Sequence, residues 1–193
     1  MVGNMTKKRE ESTKTNGAAM TSIEMKHRRV SSAHEVAHAL VCVLAGIKFR
    51  GIRIFNPGQE PEFVLGQTVS HARGQVDITS KWTLSGAGRE MMIVLLAGPA
   101  ATKKLTRNSS FRLLVLGSGD ADYAEALQIA TDLFNKPFAK KAVQICERRA
   151  SRLVEDHWQT ILKIAKVLSE RGYLSYAEFL RLYEASTASV LSA

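Results

Sequence analysis

Three residues near the start of the chain, His34, Glu35 and His38, have the types and spacing needed for metal-assisted hydrolysis. Four residues of α-helix turn through about 400°, so His34 and His38 fall one above the other on one face. Two imidazoles stacked in this way can share one Zn²⁺ at about 2.0–2.1 Å. Glu35, one residue on, is placed to hold a water on the metal and is poorly placed to be a third ligand. Zinc lowers the pKa of bound water towards about 7, and an adjacent carboxylate can take its proton as the water attacks a peptide carbonyl. The same carboxyl group can then return the proton to the leaving amine.

A second reading competes for Glu35. Ser32-x-x-Glu35 has the form of a capping box, in which the glutamate would bond back to the Ser32 amide and simply start a helix. A carboxylate committed to that amide could not also hold a water. Against this, the histidines lead directly into Ala39-Leu40-Val41, a run that should be buried, and buried imidazoles need partners. A third ligand must then be found among Asp77, Asp120, Asp122, Glu125, His71 and His157. The inward stripe expected downstream is Ala126, Ile129, Ala130 and Leu133, and four residues back from Ala126 is Asp122. Asp120 falls at the margin of the stripe and suits an N-cap. His71 and His157 read as surface residues. Asp122 is the expected third ligand.

The elements that must position these groups are mostly helical. A first helix is expected from Ser32 to Ala45, stopped by Gly46. Strand-like runs at Phe49–Phe55 and Glu62–His71, joined through Asn56-Pro57-Gly58, predict a hairpin or small sheet, and 72–80 reads as a loop. A second helix is expected from Ser80 to Leu105, with Trp82, Leu84, Met91, Leu95 and Leu96 inward and a kink or break at Pro99. A third should span Asp120 to Phe134, entered through a flexible Gly117-Ser118-Gly119. One long helix is expected from Pro137 to Arg171, closed by Gly172. Ser175-x-x-Glu178 then opens a short helix to Glu184. The fold class is mainly α (α+β), with the histidine motif on the first core helix.

The chain has 193 residues and a formal charge of +9. Residues 1–29 carry seven Lys/Arg against Glu10, Glu11 and Glu24, so +4 of that charge sits in a segment poor in large apolar residues. The expected division is a basic, disordered tail over 1–29, a domain over 30–185 and a frayed end over 186–193. No aromatic residues interleave with a basic run, which argues against a nucleic-acid platform. No apolar run approaches the roughly 18–20 residues that span a bilayer, and the first residues lack a signal-peptide core. Cys42 and Cys146 each lie in an apolar helical pattern, the usage of a reduced, cytoplasmic protein.

The residues His34-Glu35-Val36-Ala37-His38-Ala39-Leu40-Val41 resemble the HEAGHALV motif of the FtsH-type ATP-dependent zinc proteases. Ile52-Arg53-Ile54 followed by Val64-Leu65-Gly66-Gln67-Thr68 resembles that family's strand pair. Val94-Leu95-Leu96-Ala97-Gly98-Pro99-Ala100-Ala101 resembles its LLGGRAA segment, and Gly119-Asp120-Ala121-Asp122 falls on its ASND element. The resemblance covers residues 30–185 and implies His34, His38 and Asp122 as zinc ligands and Glu35 as catalytic carboxylate. It also implies an extended substrate adding along an edge strand over Val64–Ser70, with Leu65, Gly66, Gln67 and Thr68 in contact.

Departures from the family pattern are equally specific. Val36 and Ala37 replace Ala and Gly and add bulk to the metal helix. Thr102-Lys103 replaces an acidic pair, so any support from those carboxylates is expected to be lost. The family's ATPase module and transmembrane segments have no counterpart in these residues. The expectation is therefore a stand-alone zinc metalloendopeptidase acting on unfolded or flexible polypeptides, with a separate unfoldase and homo-oligomerisation left open. Its rivals are a catalytically idle binding module of the same fold and, more weakly, a basic nucleic-acid-associated domain.

Overall fold

The computed structural model describes residues 21–55, 73–78, 84–106 and 117–191. The elements are α1 (Ser22–Leu44), β1 (Phe49–Phe55), β2 (Arg73–Ile78), α2 (Leu84–Leu105), α3 (Gly117–Leu133), α4 (Lys136–Asp156), α5 (Trp158–Arg171), β3 (Tyr173–Ser175) and α6 (Tyr176–Leu191). Helix dominates, with one small antiparallel sheet in the order β2-β1-β3. This is the expected fold class.

The centre of the molecule is α1. Every residue from Ser32 to Cys42 is buried, the signature of a helix with neighbours on all sides. Those neighbours are α2, α5 and the sheet. The helix begins ten residues earlier than Ser32. Its N-cap is Thr21, whose hydroxyl accepts from the Glu24 amide at 3.2 Å while Glu24 Oε2 accepts from the Thr21 amide at 2.6 Å. The boundary expected at residue 30 thus falls inside a helix, and His27 and Val30 are already buried. The cause is local: Thr21-x-x-Glu24 is itself a capping box, and nothing between it and Ser32 breaks the helix.

The sheet covers one side of α1. Ile52 of β1 pairs with Val76 on one side and Leu174 on the other, and Phe49 packs edge-on against Tyr176 and Phe179 of α6. β1 has the expected bounds. The segment 73–78, expected as loop, is the strand β2, and the expected strand over 62–71 lies outside the described residues. At three residues, β3 is too short to leave a period-2 pattern in the sequence.

On the other side of α1 lies α2, which in turn packs against α3 and α4. It runs unbroken through Pro99: the proline removes one ladder donor without ending the helix. The expected long helix after Pro137 is two helices, parting at His157, whose backbone leaves the helical region (φ −108°, ψ 17°). They part because their apolar stripes have different destinations: α4 packs on α2 and α3, and α5 packs on α1. Gly172 closes α5 in the left-handed conformation (φ 78°), as its position in the sequence predicts. The last helix continues past Glu184 to Leu191. Among the described residues no helix is long and apolar enough to cross a membrane.

Candidate metal centre

Three helices converge on one point. His34 and His38 project from the middle of α1, and Asp122 projects from the second turn of α3. The two Nε2 atoms stand 2.9 Å apart, and Asp122 Oδ2 lies 3.1 Å from His34 Nε2 and 3.6 Å from His38 Nε2. A tetrahedral ion bound at about 2.0–2.1 Å would hold neighbouring ligand atoms about 3.3–3.4 Å apart. The observed triangle matches that spacing within a few tenths of an ångström. Among the described residues this is the only such grouping of three His, Cys, Asp or Glu side chains.

The ring orientations are set from behind. His38 Nδ1 lies 2.7 Å from the Val94 carbonyl oxygen. A carbonyl can only accept, so Nδ1 carries a proton and Nε2 is the nitrogen that faces the centre. His34 Nδ1 lies 3.0 Å from Thr102 Oγ1. Both partners come from α2, eight residues apart, and Gly98 sits midway between them. A Cβ on Gly98 would stand 2.3 Å from His38 Nε2 and 2.6 Å from His34 Nε2. The absent side chain leaves a cradle open beside both ligand nitrogens. Among the described residues Asp122 Oδ2 is buried without a hydrogen-bond partner, although both rings are near. These two observations fit the donor set to a divalent cation.

Electrostatics points the same way. Burial alone would lower the His38 pKa, but the close approach and charge of Asp122, helped by Glu35 and the Val94 carbonyl, push it up to about 9. Burial alone would raise the Asp122 pKa, and its contacts with both histidines hold it well below the usual carboxylate range instead. The site therefore demands positive charge, supplied by a proton when no metal is bound.

Glu35 is buried beside this cluster. Burial raises its pKa, and the charges of His34 and His38 offset part of that rise. The capping-box reading of Glu35 does not survive: Ser32 lies inside α1, and its buried hydroxyl has no hydrogen-bond partner among the described residues. The carboxylate is released from that duty.

Of the other candidate ligands, Asp77 and Glu125 are exposed, and His157 caps the end of α4 and leans on Tyr183. None joins the cluster. His71 and the expected substrate contacts Leu65, Gly66, Gln67 and Thr68 lie outside the described residues. Sequence reasoning missed the contribution of α2. At Thr102, where support from a carboxylate was expected to be lost, a hydroxyl meets His34 instead. The available signal was the four-residue spacing of Val94, Gly98 and Thr102, which repeats the spacing of the histidines. Cys42 and Cys146 are free and buried, and burial pushes the Cys42 thiol up to about 12. No family model and no curated protein matches the chain.

Proposed function

We propose that this chain is a zinc metalloendopeptidase of the FtsH type, hydrolysing peptide bonds in flexible or unfolded polypeptides. The observation that carries this reading is the meeting of His34, His38 and Asp122, which are brought from two distant stretches of sequence to zinc-ligand spacing. In this role His34 Nε2, His38 Nε2 and Asp122 Oδ2 hold the ion. The bound ion supplies an acidified water and a Lewis acid for the scissile carbonyl.

The remaining chemistry belongs to Glu35. As the base it takes a proton from the attacking water, and as the acid it delivers that proton to the departing amine nitrogen. A buried carboxyl with a raised pKa suits both halves of the task, since it binds and releases a proton nearer neutrality than an exposed glutamate does. Substrate backbone would pair with a strand edge. Among the described residues β2 pairs only with β1, and it packs against α1, so its other edge is the candidate place for an added strand.

The test is metal content followed by cleavage of an unfolded protein such as casein. The reading expects about one zinc per chain and hydrolysis that disappears in Glu35→Gln while zinc is retained. If the wild type binds zinc and neither protein cleaves a broad peptide library, the same fold serves as a binding module instead.

A further inference from the structure

Helix α4 carries two apolar stripes. Ala139, Val143, Cys146 and Ala150 form the first, and all four are buried. Phe138, Ala142 and Ile145 form the second, one residue behind it and on the adjacent side of the helix. That second stripe is left uncovered: Phe138 is 62% exposed and Ile145 47% exposed. Phe134, just past the end of α3, is 44% exposed. These side chains wall a cavity of about 440 Å³, whose buried part is formed by Met92 of α2 and Cys146 of α4.

Two cations complete the lining. Arg89 and Lys141 are both exposed, as when an aliphatic stem forms wall and the charged end reaches water. Neither has an ion-pair partner among the described residues. The charges that act on Cys146 are Arg89 and Arg149 against Glu90, so positive charge prevails there. Arg89 and Met92 lie on the opposite face of α2 from Val94, Gly98 and Thr102, which separates this cavity from the metal centre.

A mostly apolar recess of this volume with a few charged groups has the make-up of a small-molecule site. Its chemistry chooses among occupants. A second copy of the chain, docked symmetrically, would bring the same cations face to face. A docking helix needs a larger interface than the recess offers. A bilayer surface would meet Phe138 and leave the buried Met92 and Cys146 untouched. An apolar chain ending in an anion satisfies the walls, the buried part and the cations together. We propose that the cavity binds one long-chain fatty acid, its hydrocarbon tail against Met92, Phe138 and Ile145 and its carboxylate held by Arg89 and Lys141.

The test is equilibrium dialysis of dodecanoate, below its micelle concentration, against the full chain. Decanoate and dodecanol are measured alongside, as are the paired variant Arg89→Gln with Lys141→Gln and the cavity variant Ala142→Phe. The expected result is saturable binding of one dodecanoate per chain. Decanoate should bind about 15-fold more weakly, because each CH₂ removed from water contributes about fourfold. The paired variant should lose about tenfold or more in affinity for dodecanoate and keep its affinity for dodecanol. Ala142→Phe, which puts a ring into the cavity, should abolish binding. The paired variant changes only exposed side chains and decides alone if Ala142→Phe does not fold. Absence of saturable uptake, equal affinity for decanoate and dodecanoate, or wild-type affinity in the paired variant overturns the inference. So does occupation of this face by a second copy, an acidic amphipathic peptide or an anionic vesicle that dodecanoate does not displace.

Discussion

Nδ1 of His38 donates to the main-chain carbonyl of Val94 across 2.7 Å, joining two helices through residues 56 apart in sequence. The bond turns the ring so that its other nitrogen faces His34 and Asp122. It needs no particular side chain at position 94, only the backbone of α2 at that height. The metal-ligand geometry is therefore tied to α1–α2 packing, and anything that separates these helices disturbs the centre.

Gly98 is the closest point of that packing. Gly98→Ala would place a methyl group within 2.3 Å of His38 Nε2, and the rings must move to admit it. The expected outcome is a folded protein destabilised by about 1–3 kcal/mol through overpacking and unable to bind zinc stoichiometrically. Denaturant unfolding and metal analysis of the purified variant check both parts. Full zinc occupancy in Gly98→Ala would show that the cradle is not needed.

Metal-free stability should depend on pH in a defined direction. His38 has its pKa raised from 6.5 to about 9 on folding. A raised histidine pKa adds stability that is complete below about 6.5 and is lost as pH rises through about 9. Asp122 has its pKa lowered from 3.8, so its share is present above that value and is lost as pH falls through the lowered one. Thermal melts of chelator-treated protein should therefore weaken between pH 6.5 and 9. Zinc competes with the proton on His38, so the gain in melting temperature from zinc should grow over the same interval. A zinc-induced gain that shrinks as pH rises would contradict the assignment.

Asp122→Asn tests the pairing from the other side. The amide removes the charge that raises His38, so the His38 pKa should fall below about 9 in the metal-free variant. Zinc affinity should drop with it. An NMR titration of the His38 ring reads the first effect directly, and an unchanged midpoint would mean that Asp122 is not its partner.

Two Ser/Thr-x-x-Glu patterns near the metal helix make opposite predictions. Thr21→Ala removes a working N-cap and should cost about 1 kcal/mol. Ser32→Ala removes a buried hydroxyl that has no partner among the described residues and should leave stability unchanged or slightly raised. Urea unfolding of the two variants distinguishes them, and a cap-sized loss in Ser32→Ala would reinstate the helix start at that residue.

These patterns also show how far the sequence could be read. Ser175-x-x-Glu178 is the same motif as Ser32-x-x-Glu35, and it does cap a helix, with the Glu178 amide 3.3 Å from Ser175 Oγ and Glu178 Oε2 2.9 Å from the Ser175 amide. The difference lies upstream. Gly172 ends α5 just before Ser175, whereas nothing ends α1 before Ser32, and a motif alone does not reveal whether a helix has already begun. Asp122 was legible because Ala126, Ile129 and Ala130 fix the buried stripe of α3, and a residue in phase with that stripe must point the same way. Thr102 was not legible in the same manner. Its role depends on the register of α2 against α1, which is a property of packing rather than of either helix alone. The division of α4 from α5 at His157 is likewise set by which neighbours the two apolar stripes reach.

The most direct measurement of the central claim is casein hydrolysis by zinc-loaded wild type and Glu35→Gln, with zinc content determined on the same samples. The account predicts about one zinc per chain in both proteins, cleavage by the wild type, and none by Glu35→Gln. Equal cleavage by the two proteins, or a wild type that takes up no zinc, would contradict it.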